Sequence, residues 1–490
     1  MKITVVCIFY LFFVNLSTVL AQNNAVQQAI DNFKTHESLE NAGISFMAFD
    51  LDSNQILGSL NPKTAMPPAS TVKLFTTAAA FEILGKDYKA KTIIYTVGEI
   101  DSLGTLNGNI VIRGLGDPSL GSRYFNEKEE ANDFLDAWVE AVQKNGIKKI
   151  NGSVIADGSA FGYHGAPDGW SWSDMGNYYG SGASGCAVYD NMAYLHFSTS
   201  SLLDGPTKLD SMTPKIPGFK LHNQVTTYAS SRDNAYIYGT PYSYERFAIG
   251  NLPRNKSNFE VKASVPDPEL LLAQSLEKAL EDTGVFVEKS PIGMRKILQE
   301  HPDSTLNYGT FNRILTHEGK SVEDIAFWTN MRSVNFFAEQ LYCLSTYQST
   351  GFGGSQESED FMNNYWESRL GVKMYQTDGS GLSRTNAFSA NHYIQLLKYM
   401  LNAKSFEAFE ATLPVAGKSG TLRSVCRGQA AQGRLKAKSG TMNRIKSYSG
   451  YVDSRSGRKI AFALIVNNDN LSNYQLVKRM EKVFNAMAVY

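Results

Sequence analysis

Between about Lys91 and Asp282 the sequence changes texture, and that change governs what the chain can fold into. Short apolar runs such as Asn109-Ile110-Val111-Ile112 and Ser153-Val154-Ile155 alternate with turn residues, and a loop rich in glycine and tryptophan runs from Asp157 to Ser184. Such a stretch reads mostly as strand and loop. Before it, Ile44 to Leu60 predicts two short strands joined at Asp52-Ser53-Asn54. After Pro67-Pro68 a long apolar helix pattern runs to Gly85, a residue suited to a helix C-cap. Beyond the middle, helices are predicted near Val322 to Asn330 and Val334 to Tyr347. The chain closes with a hairpin, Ile445 to Val452 and Lys459 to Val466 around the turn Asp453 to Gly457, then a helix from about Asn473 to Met487. In that helix Leu476, Val477, Met480 and Val483 form a stripe that suits packing on a sheet better than lying on a membrane. Two α/β ends around a strand-rich middle predict one domain built from both ends and interrupted by an insertion.

Composition narrows the partners. The 47 basic and 47 acidic side chains cancel, so no net field draws nucleic acid or anionic lipid, and neither is expected as a partner. Lys2, the apolar run Ile3 to Val14 and Thr18-Val19-Leu20-Ala21 predict a secretory signal peptide cleaved after Ala21. No later stretch approaches 18 continuous apolar residues, so the mature chain is expected to be soluble, periplasmic and without stable membrane insertion. Cys186, Cys343 and Cys426 remain after processing, which permits at most one bridge within the chain. Without C-x-x-C or H-E-x-x-H there is little support for zinc, and no metal or organic cofactor is expected. The G-x-x-x-x-G-K-[ST] phosphate loop and the G-x-S-x-G nucleophile elbow are missing too, which argues against a nucleotide enzyme and a histidine-based serine hydrolase.

A serine three residues before a lysine puts both side chains on one helix face, where the amine can take the hydroxyl proton. The spacing occurs at Ser70 and Lys73, at Ser275 and Lys278, and at Ser456 and Lys459. The last falls in the hairpin turn and the second in a charged helix surface. Only Ser70 stands at the first turn of an apolar helix, whose free amides favour developing negative charge. For Lys73 to act as base it must be neutral, whereas an ordinary lysine is neutral in about one molecule in 2,500 at pH 7. Closing that gap takes on the order of 4 to 5 kcal/mol, for which burial and a second nearby cation are the available causes. K-S-G-T supplies such a lysine and occurs twice, at Lys418 to Thr421 and at Lys438 to Thr441. The first copy follows the loop-like Leu413-Pro414-Val415-Ala416-Gly417, whereas the second leads into the terminal hairpin and suits an edge strand with small residues that lets a peptide approach. A third element, Ser333-Val334-Asn335, opens a helix, with Ser389-Ala390-Asn391 as a rival triplet.

S-x-x-K early, S-x-N downstream and K-S-G-T near the end resemble the active-site set of penicillin-recognising serine enzymes. Over nearly its whole length the mature chain resembles the class C low-molecular-mass penicillin-binding proteins, the D-alanyl-D-alanine carboxypeptidase/endopeptidase family. Asp378-Gly379-Ser380-Gly381-Leu382-Ser383-Arg384, Leu413 to Gly417, Trp172-Ser173-Asp174-Met175 and the separation of 263 positions from Ser70 to Ser333 are similar to that family as well. The resemblance implies an α/β (α+β) fold: a serine β-lactamase/transpeptidase-like domain, its antiparallel sheet flanked by helices, interrupted by a large strand-rich insertion. The expected division is a peptidase domain at 22–92 and 283–490, a second domain at 93–187 and 263–282, and a nested third at 188–262.

By the same resemblance Ser70 is the acylated nucleophile and Lys73 its base. Ser333 and Asn335 relay a proton and hold the substrate amide, and Lys438 binds the terminal carboxylate. Ser439, Gly440 and Thr441 line the substrate strand, Asp174 reaches toward the free amine of a diamino acid, and Arg384 toward its carboxylate. Val334, where relatives often carry an acid, and Ser439, where threonine is commoner, are departures that remove no catalytic group. The expected partners are peptidoglycan stem peptides, with β-lactam antibiotics as inhibitors. A β-lactamase and a catalytically silent cell-wall-binding protein are the competing readings. The first would need an activated deacylating water, for which no acidic motif is identifiable, and the second would show loss of the nucleophile or lysine. The balance of carboxypeptidase and endopeptidase action, the diamino acid and the oligomeric state are left open.

Overall fold

The computed structural model describes residues 25–490, so the predicted signal peptide and its cleavage after Ala21 lie outside the described residues. The chain divides into two compact units. One takes the chain up to Glu82 together with Ala326–Ser333 and Met362–Tyr490, and the other Ile83–Ile325 with Val334–Phe361.

The first unit is organised by a five-stranded antiparallel sheet in the order Leu435–Met442, Ile445–Asp453, Lys459–Asn467, Gly43–Asp50, Gln55–Leu60. Both ends of the chain meet in it, Phe46 lying opposite Leu464. Because strand side chains alternate between faces, one face collects Phe46, Ala48, Tyr448, Val452, Phe462 and Leu464. These pack on Ile30 and Phe33 of the helix at 25–34, and on Met480, Val483 and Phe484 of the helix Asn473–Val489. The terminal stripe is therefore core, as its spacing predicts. The opposite face is smaller and more polar. There Ser45 Oγ accepts the Ala390 N–H (3.0 Å) and the Tyr451 hydroxyl donates to Leu397 O (2.9 Å), fixing the helix Ala390–Leu401. The helix Lys73–Ile83 joins the same layer through Phe75, whose ring lies 4.8 Å from that of Phe388 and 5.3 Å from that of Tyr393.

The second unit holds a mixed sheet in which Lys89–Ile100 lies between Thr105–Gly114 and Asn312–Ser321. Two smaller three-stranded sheets between Met192 and Ser264 have their own apolar cluster, including Leu195, Phe197, Ile237 and Leu252. The antiparallel, helix-flanked sheet and the strand-rich insertion are as the resemblance implies. Inside the stretch expected to be mostly strand and loop lie two helices: Pro268–Asp282, the helix expected to carry Ser275 and Lys278, and Asp133–Lys144, which the strand-and-loop reading did not include. Their buried residues Leu135, Trp138, Val139 and Val142, and Leu272, Leu276 and Leu280, recur at helical spacing and cover the mixed sheet. The positions 92/93 and 282/283 fall within this second unit, because Ile94 pairs with Leu315 across its sheet. Cys186, Cys343 and Cys426 are buried free thiols, and no helix among the described residues is long and apolar enough to cross a membrane.

Phe462 is fully buried between the two terminal helices' contacts. Phe462→Ala is expected to destabilise the first unit by about 3 to 5 kcal/mol, read as a lower urea midpoint. A change below about 1 kcal/mol would contradict this packing.

Candidate active site

Ser70 lies in a single 3-10 turn, Ala69–Val72, that runs straight into the helix Lys73–Ile83. The turn is held from several sides. Thr71 Oγ1 lies 3.0 Å from Pro68 O, 2.8 Å from the Tyr393 hydroxyl and 3.1 Å from Ser447 Oγ, and Ser447 Oγ also donates to Pro68 O. Ala69 is forced to φ +52, a left-handed conformation that costs roughly 1 to 2 kcal/mol outside glycine. The predicted helix start is thus a tighter turn than the spacing suggests, and Ser70 is only partly buried at its surface.

Lys73 is completely buried, and its Nζ donates to Ser70 Oγ (3.0 Å) and to Ser380 O (2.6 Å). The carbonyl comes from the segment 378–384, whose hub is the buried Asp378. Its Oδ1 accepts the Gly381 N–H (2.7 Å) and the Asn386 amide (2.8 Å), and its Oδ2 accepts the Ser383 N–H (2.6 Å). Thr76 Oγ1 donates to Gly379 O (2.6 Å), tying that segment to the helix. A Cβ on Gly381, at φ +79, would strike Ala69 O, so only glycine lets the two turns meet. Arg384, three residues on, is exposed.

Lys438 lies on the edge strand Leu435–Met442 and is likewise fully buried. Its Nζ donates to Ser333 Oγ (2.9 Å) and Ser439 O (2.7 Å). Burial, and then the charges of Lys73 and Lys446, push its ammonium well below the ordinary lysine range. Ser333 itself is at φ +60, a further left-handed residue. The register pairs Gly440 with Ser447 and Thr441 with Lys446. A Cβ on Gly440 would collide with Ser447 Oγ and Pro68 O and come within 3.0 Å of Ser70 N. The strand therefore runs directly beside the serine turn. Ala437 N donates away from the sheet to Pro414 O (3.0 Å), so by the two-residue period the backbone groups of Ser439 and Thr441 also face outward.

The structure thus brings Ser70, Lys73, Ser333, Lys438, Ser439, Gly440 and Thr441 together in the first unit. Asn335 and Asp174 belong to the second. There Asn335 opens the helix Asn335–Thr350 and its side-chain amide donates to Tyr179 O (2.8 Å), while the Tyr179 hydroxyl donates to Asp174 Oδ1 (3.3 Å). One tyrosine thereby connects both predicted positions. Of the rival motifs, Ser389 caps the helix Ala390–Leu401, and Lys278 forms an exposed ion pair with Asp282. The first K-S-G-T copy is not idle, since its Thr421 accepts from Ser439 Oγ at 2.8 Å.

Sequence reasoning missed four contributors. Lys446, buried and pushed down to about 8 by burial, donates to Thr441 Oγ1 (2.6 Å). The two-residue turn Asn443-Arg444 signals it, because it places 446 opposite 441. Tyr179 carries no motif of its own, and Thr421 ends the K-S-G-T copy that its loop-like lead-in, Leu413 to Gly417, sets aside. Ser380 acts through a main-chain oxygen, which no residue type announces.

The sequence profile of the D-Ala-D-Ala carboxypeptidase 3 (S13) family matches residues 26–487. A D-alanyl-D-alanine carboxypeptidase of Actinomadura sp. is 28% identical over 464 residues, covering 91% of this chain and 82% of that protein. The D-alanyl-D-alanine carboxypeptidase DacB of Haemophilus influenzae is 24% identical over 443 residues, covering 88% and 87%. Penicillin binding protein 4 of Haemophilus influenzae is similar in fold, with a TM-score of 0.79 at 21% identity over 94% of this chain and 99% of that one. Its complex with a β-lactam gives 0.74 at 20% identity, with the same coverage of 94% and 99%.

Burial holds folded Lys446 at about 8, below its unfolded value of 10.5, so between these values the folded chain binds fewer protons and stability rises with pH. Below about pH 8 the buried ammonium exacts its full cost. Lys446→Met removes this dependence. From about pH 7.5 to 9.5 the wild type should gain roughly 2 kcal/mol on the variant in urea unfolding; a gap that does not move with pH would refute the buried ammonium.

Proposed function

The chain belongs to the D-Ala-D-Ala carboxypeptidase 3 (S13) family, and from that premise we propose how its residues cleave the D-Ala-D-Ala end of peptidoglycan stem peptides through an acyl-enzyme on Ser70. The observation that carries this reading is the fully buried Lys73 with its Nζ 3.0 Å from Ser70 Oγ, beside a second buried lysine, Lys438. Burial and a neighbouring ammonium both favour a neutral amine, the form a base requires.

In this scheme Lys73 takes the Ser70 proton as Oγ bonds to the penultimate D-alanine carbonyl carbon. The oxyanion is received by the N–H groups of Ser70 and Thr441, the second of which faces outward from the edge strand. Ser333, bonded to Lys438, relays a proton to the departing amine as the C–N bond breaks. Lys438 and Ser439 hold the terminal carboxylate, and Gly440 gives the substrate backbone room. Water then attacks the ester, Ser70 recovers its proton, and the shortened peptide leaves. Asn335 is assigned to the substrate amide, Asp174 to the free amine of the diamino acid, and Arg384 to its carboxylate. The hydrogen bonds joining Asn335 and Asp174 to Tyr179 support a shared task for the first two. D-alanine and a cross-linked peptide differ only as leaving groups on one acyl-enzyme, so both carboxypeptidase and endopeptidase action fit.

A β-lactam presents the same carbonyl but keeps its leaving group tethered, which supports its role as inhibitor. Export by the Met1 to Ala21 segment, a periplasmic location and the division into peptidase, inserted and nested domains belong to the same proposal. The separate apolar clusters of the two units, and the further cluster between Leu195 and Ala263, support that division.

Brief exposure of the purified protein to penicillin, followed by intact mass and peptide mapping, tests the scheme. One adduct on Ser70 is expected, absent in Ser70→Ala and formed at least about a hundredfold more slowly in Lys73→Ala. Rapid turnover of the drug without an adduct would point to a β-lactamase, and untouched drug to a silent wall-binding protein.

A further inference from the structure

The edge strand Leu435–Met442 does not end in open solvent. At its hairpin end, in the first unit, lies a cavity of about 490 Å³, within the range of roughly 300 to 1,000 Å³ usual for ligand sites. Thr441, Met442, Arg444, Lys446, Leu471 and Asn473 are among the residues that line it. The cavity shares Thr441 with the outward-facing stretch of the strand where substrate is proposed to lie.

Direction follows from that reading, on which this inference rests. If the terminal carboxylate sits at Lys438 and Ser439 and the reacting carbonyl between Ser70 N and Thr441 N, then moving toward the amino terminus of the substrate means moving along the strand toward Met442. The substrate is an antiparallel added strand, and its amino-terminal part arrives at the cavity. In a stem pentapeptide the residue before the diamino acid is a γ-linked glutamate, which leaves its α-carboxylate free.

The lining chemistry suits that group. Arg444 is exposed and makes no ion pair or side-chain hydrogen bond among the described residues. Its main chain is fixed, since Arg444 O accepts the Asn468 N–H at 2.8 Å and the residue is held at φ +59. The single acid in the lining, Asp469, is buried with Oδ1 taken by the Leu471 N–H at 2.9 Å. A guanidinium on a fixed turn, beside a mixed lining that includes Leu471 and Asn473, is a fitting receptor for a carboxylate carried by a short peptide.

We propose that the cavity is the subsite for the amino-terminal part of the stem peptide and that Arg444 receives the free carboxylate of its γ-linked glutamate. Three substrates test it on the full mature chain: the glutamate pentapeptide, the same peptide amidated at that carboxylate, and an acylated diamino acid-D-Ala-D-Ala tripeptide. Arg444→Ala should lower kcat/KM about tenfold on the first while leaving the tripeptide and penicillin acylation unchanged. The wild type should prefer the glutamate peptide to its amide, and the variant should not. Leu471→Trp, which fills the cavity, should slow both pentapeptides and spare the tripeptide. Equal losses on all three substrates, or no loss on the glutamate peptide, would overturn the assignment while leaving the peptidase intact. A wild type that cleaves none of them and is not acylated at Ser70 would overturn both.

Discussion

Two fully buried lysine amines, Lys73 and Lys438, set the terms for the first unit. An ammonium taken out of water must find acceptors or give up its proton. Hydroxyls and carbonyls are among the acceptors: Ser70 Oγ and Ser380 O for one, Ser333 Oγ and Ser439 O for the other. A carboxylate in their place would hold the lysines charged, whereas neutral oxygens leave protonation easily shifted. Each acceptor belongs to a different stretch of chain, so satisfying the two amines forces the serine turn, the 378–384 segment, Ser333 and the edge strand to converge. The left-handed Ala69 and Ser333 show that the backbone is strained to achieve it.

That convergence explains what was legible in the sequence. Ser70, Lys73, Ser333 and Lys438 stand out because hydroxyl and amine groups must recur at fixed local spacing. The sheet is legible for another reason: two short runs, the second continuously apolar from Ile460 to Val466, flank a polar turn at Asp453 to Gly457, and the terminal helix carries a clean apolar stripe. What stayed hidden depends on through-space neighbours. Thr421 matters only because its loop folds back on Ser439, and Tyr179 only because it lies between Asp174 and Asn335. The helix Asp133–Lys144 was hidden differently, since its helical stripe is bracketed by short strands whose β-branched residues dominate a local reading.

In the second unit the long loop that carries Asp174 could have been a floppy excursion. It is instead tied down at its base by Glu269, a buried carboxyl held up to about 8 chiefly by desolvation. Glu269 accepts the Gly158 N–H (2.7 Å), the Tyr163 hydroxyl (3.0 Å) and the Arg295 N–H (3.1 Å), linking the loop to the helix Pro268–Asp282 and to the segment after Gly293. A Cβ on Gly293 would collide with that carboxyl. The loop thus gains its order from a polar anchor, where its glycine-rich sequence offers little apolar surface of its own.

An unpaired strand edge is ordinarily a hazard, because it templates aggregation. This one is closed at its start, where Val415 bridges Lys436 and Ala437 N donates to Pro414 O, and its free outward-facing groups begin at Ser439. The exposed stretch is short, and its inner side is occupied by a buried lysine and by a glycine pressed against the serine turn. A second strand docking there would have to match a terminal anion to Lys438 at one end and a reactive carbonyl to the serine at the other. Openness is therefore confined to peptides of the right length and charge, and the feature that limits misassociation is the one that would select the substrate.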